Sequence, residues 1–226
     1  LQAGHTYQEI LHAEKFGISA SGTLDFEKTQ TWKNTQVVQK LRSGVTQLLK
    51  KNKVTILFGE AKFTSKESIT VTHEGKTETY TFKNAILAVG SRPIEIKAAP
   101  FSKRIVDSTG ILNTPFLPKT LSVIGAGYIG SELAEAFAAF GTKVTLIEAT
   151  PGILPGFNTK LSDLVKRNLT KLGVTILTDA LVLSSKEDED KVTLTYKKDN
   201  AEHTIDSELV LVSVGRRPNT DQLNLN

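Results

Sequence analysis

The run "LSVIGAGYIGSELAEAFAAFGTKVTLIEA", Leu121 to Ala149, leaves this chain few ways to fold. A short apolar run, Leu121–Ile124, meets three glycines, Gly125, Gly127 and Gly130. An amphipathic stretch follows, with Leu133, Ala134, Phe137 and Phe140 on one side, and Gly141 stops it. A second apolar run, Val144 to Glu148, comes next. The pattern predicts strand, helix, strand. Two neighbouring strands joined through a helix run parallel, so this is a βαβ unit and the chain is α/β.

The glycine spacing narrows the purpose of that unit. Gly125 permits a tight turn, Gly127 lets the backbone approach a pyrophosphate, and Gly130 lets helix and strand pack closely. The helix start offers free N–H groups and the positive end of its dipole to an anion. Glu148 closes the second strand roughly 20 residues past the glycines, where a carboxylate accepts hydrogen bonds from adenosine ribose hydroxyls. Three glycines alone could serve a tight turn and nothing more; the whole set favours a dinucleotide. Glu148 would repel a 2′-phosphate, and no Arg lies between Lys143 and Arg167 to receive one, so NAD is favoured over NADP.

The chain also writes one ending twice. "ILAVGSRP", Ile86–Pro93, and "LVSVGRRP", Leu211–Pro218, stand about one domain apart. The first is preceded by a helix expected over 25–51, with Val37, Val38, Leu41, Val45, Leu48 and Leu49 on its stripe. Strands are expected at Val54–Phe58, Ile69–Thr72 and Thr79–Phe82, the last two joined by the turn "HEGK", and then a buried strand at Ala85–Val89. The second ending follows a helix over 160–172, striped by Leu161, Leu164, Val165, Leu169 and Leu172, and strands at Val174–Thr178 and Val192–Tyr196. A turn at "KDNAEH" then leads to the closing run Leu209–Val214. Residues 98–119, richer in Pro, Ser and Thr, read as a connection. Both endings therefore read as domain tails, and only the second has a βαβ head.

Composition removes several function classes. With 39% hydrophobic and 23% charged residues the chain is globular. The net charge of +4 is spread without a basic run interleaved with aromatics, so no nucleic-acid partner is expected. No apolar run approaches the ~20 residues that span a bilayer, so no membrane partner is expected either. Zero cysteines leave no thiol chemistry to these residues. His5 and His12 read as surface-helix residues, and His73 and His203 as solvated turn residues, so no metal site is predicted. The chain starts at Leu1, contains no methionine and ends on "QLNLN", and it is expected to be a piece of a longer protein.

Together "VIGAGYIGSELAEAFAAFGTKVTLIE", "VSVGRRPNT" and "ILAVGSRP" resemble the flavin-dependent pyridine nucleotide–disulfide oxidoreductases, and the likeness covers essentially the whole chain. It is strongest to the branch that serves 2-oxoacid dehydrogenase complexes. The resemblance implies a Rossmann-like NAD-binding domain, parallel sheet plus β-meander, inserted in an FAD-binding domain of the same type. It assigns residues 1–116 to a partial FAD domain and linker, 117–216 to the NAD domain and 217–226 to the return. It places Gly125, Gly127, Ile129 and Gly130 along the NAD pyrophosphate and ribose, Glu148 at the adenosine ribose, Val182 at the adenine and Gly215 at the nicotinamide. Tyr128 matches a position that covers the flavin in some relatives, the alternative being a partly exposed loop aromatic. Glu132 matches a glutamate reaching the flavin region, the alternative being an exposed acid favoured by the helix dipole. For FAD it implies Ala61, Val89, Gly90 and Ser91.

The same resemblance implies a relay in the intact enzyme, from a lipoyl or other dithiol substrate through a redox disulfide and FAD to NAD. It further implies a homodimer, association with a 2-oxoacid dehydrogenase complex and a cytoplasmic location. The FAD glycine turn, the redox cysteines and the later catalytic His–Glu pair are not among these residues. No catalytic residue is therefore expected here beyond a flavin-side role for Glu132, and the isolated chain is expected to be inactive and not to hold FAD. The competing readings are a reductase of the same family that uses NADP, and a nucleotide-binding module without catalysis.

Overall fold

The computed structural model describes residues 1–225. The chain packs as two compact units, Leu1–Gln30 with Pro93–Gly215, and Thr31–Arg92 with Arg216 onward. In chain order, α1 spans Gln2–Leu11 and α2 spans Phe26–Trp32; a π-helical turn over Lys33–Gln39 leads into α3, Lys40–Lys51. The helix expected over 25–51 is thus one helical run with a widened middle.

In the unit Thr31–Arg92, three strands form an antiparallel meander: β1 Glu60–Ser65, β2 Ser68–His73 and β3 Lys76–Thr81. Glu74 and Gly75 both take positive φ, the geometry of a two-residue hairpin turn, as "HEGK" suggested. The first meander strand begins at Glu60, so Val54–Phe58 is no strand. Ala85–Val89 is no strand either, and Ile86 is 94% exposed. Both segments have strand composition, yet no described strand runs beside them, and pairing is non-local. The helix stripe is equally bare: Val38, Leu41, Val45 and Leu48 are exposed. After β4, Ser91–Pro93, the chain leaves this unit, and it returns at β13, Arg216–Pro218, which pairs with β4. The two copies of "VGxRP" therefore end as neighbouring strands of one ribbon.

The other unit is three-layered. Its parallel sheet has the order β5-β12-β6-β7-β8, with β5 Ile105–Val106, β6 Thr120–Ile124, β7 Lys143–Ile147, β8 Thr175–Leu177 and β12 Leu209–Val212. Side chains alternate faces along these strands. Leu121, Val123, Val144, Leu146, Leu209 and Leu211 face helices α4 (Ser108–Leu112), α5 (Tyr128–Ala139) and α6 (Thr159–Lys171) through Ile111, Ala134, Phe137 and Leu169. Ile124, Ile147, Val210 and Val212 face the other way, onto Val182, Val192 and Leu194. Those belong to a second meander, β9 Leu181–Glu187, β10 Val192–Lys198 and β11 Ala201–Ser207.

This unit brings four corrections. The connection read over 98–119 enters the core, with Ala99, Ile105 and Ile111 buried. Strands β9 and β11 were not expected, because "LVLSSKE" and "AEHTIDS" carry polar residues on their solvent side. His203 lies within β11, stacked on Tyr196 at 5.4 Å between centroids, and not at a turn. On α6 only Val165, Leu169 and Leu172 reach the core, while Leu161 and Leu164 are exposed. Helix α1 packs on α5: Gln8 Nε2 donates to the Ala139 carbonyl at 2.8 Å, and His5 Nε2 lies 3.1 Å from Glu135 Oε1.

Candidate dinucleotide site

The site grows from the end of β6, where the sheet hands over to α5. Gly125 has φ of 96°, a region L side chains avoid, and a Cβ there would stand 2.7 Å from the Ser213 carbonyl oxygen. Gly130, one helical turn on, lies against the same turn; its Cβ would meet the Gly125 carbonyl oxygen at 2.0 Å and Ser213 Oγ at 2.6 Å. These two glycines are required by the protein's own packing. Gly127 differs. It is the N-cap of α5, its φ is an ordinary −69°, and a Cβ there would touch nothing within 4 Å. No side chain caps the helix. The space in front of Gly127 and the first N–H groups of α5 is open to an anion.

Ser213, just past β12, holds the turn from beneath: its Oγ lies within bonding distance of the Ile124 and Gly125 carbonyls, at 3.0 and 2.9 Å. From above, the loop after β7 folds back and Leu154 donates its N–H to the Ala126 carbonyl at 2.7 Å, with its side chain buried and its own φ at 54°. A leucine held at positive φ is strained, and the loop is held there by this bond and by the core contact.

Glu148, at the end of β7, is buried and accepts three hydrogen bonds. Ala126 N–H donates to Oε2 at 2.8 Å, and Thr150 N–H and Thr150 Oγ1 each lie 2.8 Å from Oε1. The carboxylate therefore braces the glycine turn. Sequence reasoning singled out Glu148 but missed Thr150, Ser213 and Leu154. A hydroxyl two residues past the acidic strand end was the available signal for Thr150.

The remaining expected positions are distributed as follows. Ile129 is half-buried, and Tyr128 and Glu132 are exposed on the first turns of α5. Val182 is buried in β9, in the same apolar cluster as Ile147. Gly215, with φ of 138°, accepts from Ile94 N–H at 3.1 Å. In the other unit, Ala61 sits in β1, exposed and paired with Val71. Val89 and Gly90 offer carbonyls that Asn219 already engages, at 3.1 Å each, and Arg216 Nε donates to Ser91 Oγ at 2.8 Å. Arg92 donates to Asp221, and that bond holds the Asp221 carboxyl below the usual range. The described residues hold no cluster of His, Cys, Asp and Glu fit for a metal. No helix among them is long and apolar enough to cross a membrane.

The sequence pattern described as pyridine nucleotide-disulphide oxidoreductase matches residues 2–226. The chain belongs to that family. Its relatives within it include dihydrolipoyl dehydrogenase from Geobacillus stearothermophilus, 50% identical over 226 residues, and that from Bacillus subtilis, 48% identical over 227. Each alignment takes in 100% of this chain and 48% of the relative, so the chain spans about half the length of these relatives. Among solved structures, the HOCl-induced flavoprotein disulfide reductase RclA from Escherichia coli, as its Cu(II) complex, superposes with a TM-score of 0.80 at 27% identity, over 97% of this chain and 46% of that one. The oxidoreductase family and its Rossmann-like fold thus agree with what the glycine turn and the repeated ending implied.

Proposed function

We propose that residues 117–216 are the NAD-binding domain of a flavoprotein disulfide oxidoreductase of the dihydrolipoyl dehydrogenase kind, with 1–116 and 217–226 contributing to its FAD domain. The observation that carries this reading is the contrast at the glycine turn. Gly125 and Gly130 are accounted for by internal packing, whereas Gly127 faces open space at an uncapped helix start, beside a carboxylate at the end of the next strand. A pyrophosphate accounts for both the space and the free donors.

In this reading the chain's own groups bind and orient. The N–H groups at Gly127, Tyr128 and Ile129 take the pyrophosphate, Glu148 takes the adenosine ribose, and Val182 supplies an apolar wall for the adenine. Gly215 leaves room for the nicotinamide end, and Tyr128 and Glu132 face the flavin side. NAD, when bound, supplies the hydride acceptor, and orienting it is the protein's task. In the intact protein the electrons would come from a lipoyl or other dithiol through a redox disulfide and FAD, in a homodimer attached to a 2-oxoacid dehydrogenase complex. The cysteines of such a relay are not among these residues, so neither lipoamide-dependent NADH formation nor flavin absorbance is expected of this chain alone.

The test is a fluorescence titration with NADH and NADPH. NADH should bind far more tightly, because a 2′-phosphate would stand against Glu148. Equal affinities would refute the assignment.

A further inference from the structure

Ala126, between the first two glycines of the turn, is held at both of its backbone groups by the segment that follows β7. Its N–H donates to Glu148 Oε2 at 2.8 Å, and its carbonyl accepts from Leu154 N–H at 2.7 Å. Ser131 adds a weaker bond to the same carbonyl, from Oγ at 3.3 Å. That carbonyl shares a peptide plane with the Gly127 N–H, and in a trans peptide the two point in opposite directions. Fixing the carbonyl on Leu154 and Ser131 therefore fixes the aim of the Gly127 N–H, away from both. That N–H has no acceptor among the described residues.

Leu154 holds this place at a disadvantage. Its φ of 54° lies in the left-handed region, which glycine and asparagine adopt more readily than leucine. Its side chain keeps it there, 8% exposed and buried in the same apolar cluster as Ala134 and Phe137. The strained backbone, the buried anchor and the 2.7 Å bond converge on one carbonyl. Strain maintained beside a binding site points to a role in that site.

We propose that Leu154 is a positioning residue of the nucleotide site: by holding the Ala126 carbonyl, its N–H aims the Gly127 N–H at the pyrophosphate. The inference rests on the dinucleotide reading above, and it makes the loop after β7 a determinant of pyrophosphate affinity at one remove. With the Leu154 donor gone, the peptide is free to tilt, and a bond from Gly127 N–H to a phosphate oxygen, of the charge-assisted kind, loses its alignment. Affinity for a pyrophosphate ligand should then fall by about fivefold, while a ligand that ends at the ribose loses nothing. A leucine that only packs the loop predicts equal changes toward both ligands, or none.

The experiment replaces the Leu154 amide by an ester, through incorporation of the α-hydroxy acid of leucine, which removes the N–H and leaves the side chain. The 226-residue chain carrying it is titrated with ADP-ribose and with adenosine while its amide resonances are followed. Adenosine affinity should hold, ADP-ribose affinity should fall by about fivefold, and the Gly127 amide resonance should move before any ligand is added. Ser131→Ala removes the weaker donor to the same carbonyl and should act in the same direction by about twofold, which supplies the test if the ester chain does not fold. Unchanged ADP-ribose binding, an unmoved Gly127 resonance, or equal losses toward both ligands overturns the proposal. A parent chain that binds no ADP-ribose refutes the dinucleotide reading and this inference with it. That result is distinct from a parent that binds while its variants lose nothing, which refutes this inference alone.

Discussion

Replacing Gly130 and Gly127 by alanine, one at a time, separates what the glycine turn does for the fold from what it does for a ligand. At Gly130 the added Cβ would lie 2.0 Å from the Gly125 carbonyl oxygen, where ordinary contact begins at 3.4 Å. The obstacle is backbone, so α5 must retreat by more than 1 Å from β6, loosening Ala134, Phe137 and Ala138 in the core. Forcing extra volume into a packed core costs about 1–3 kcal/mol, occasionally more. The backbone obstacle places this case at about 3 kcal/mol, a fall in Tm of about 6–12 °C for a chain of this size. At Gly127 the Cβ meets nothing and φ is ordinary, so the cost is that of a poorer N-cap, up to about 1 kcal/mol. Yet that Cβ would project into the space assigned to the pyrophosphate, and NADH affinity should fall by about tenfold or more, which is about 1.4 kcal/mol. Thermal melts followed by circular dichroism read the first quantity, and NADH fluorescence reads the second. Gly130→Ala melting with the parent would refute the close approach. Gly127→Ala binding NADH as well as the parent would refute the placement of the nucleotide.

Two further outcomes follow from the two units. Amides of residues 31–92 should exchange with deuterium faster than those of β6, β7 and β12, because Val54–Phe58 and Ala85–Val89 have no strand ladder and α3 shows its apolar stripe to water. Equal protection in hydrogen exchange would mean those segments are covered in solution. In the second meander, a hydrogen bond from Lys191, and then one from the Thr193 hydroxyl, hold the Asp206 carboxyl below its usual range. A carboxyl depressed in the folded state adds stability above its unfolded value, near pH 4, and loses it as pH falls through the folded one. Lys191→Ala should raise the Asp206 value in an NMR titration, and an unmoved value would contradict the pairing.

The parts of the fold that could be read in advance are those whose pattern is local. The βαβ unit from Leu121 to Glu148 declares itself through two short apolar runs, a 3.6-residue helix stripe and glycines at the turn, and all of these stand in the structure. Strands β9 and β11 escaped because one face of each meets water, so polar residues break their pattern. Val54–Phe58 and Ala85–Val89 misled in the opposite sense: apolar composition announces a strand, but only a partner makes one. The pairing of β4 with β13 could not be inferred from either copy of "VGxRP" alone. At the site, Glu148 was legible from its distance to the glycines. Its bonds to Ala126 and Thr150 were not, because they depend on how two strand ends and a loop meet in space.

The central claim, that a dinucleotide lies against the Gly127 end of α5, is tested most directly by titrating the isotope-labelled chain with NAD and following its amide resonances. Shifts concentrated at Gly127, Tyr128, Ile129 and Gly130, and around Glu148, are the predicted result. An unchanged spectrum at these amides, or shifts confined to residues 31–92, would contradict it.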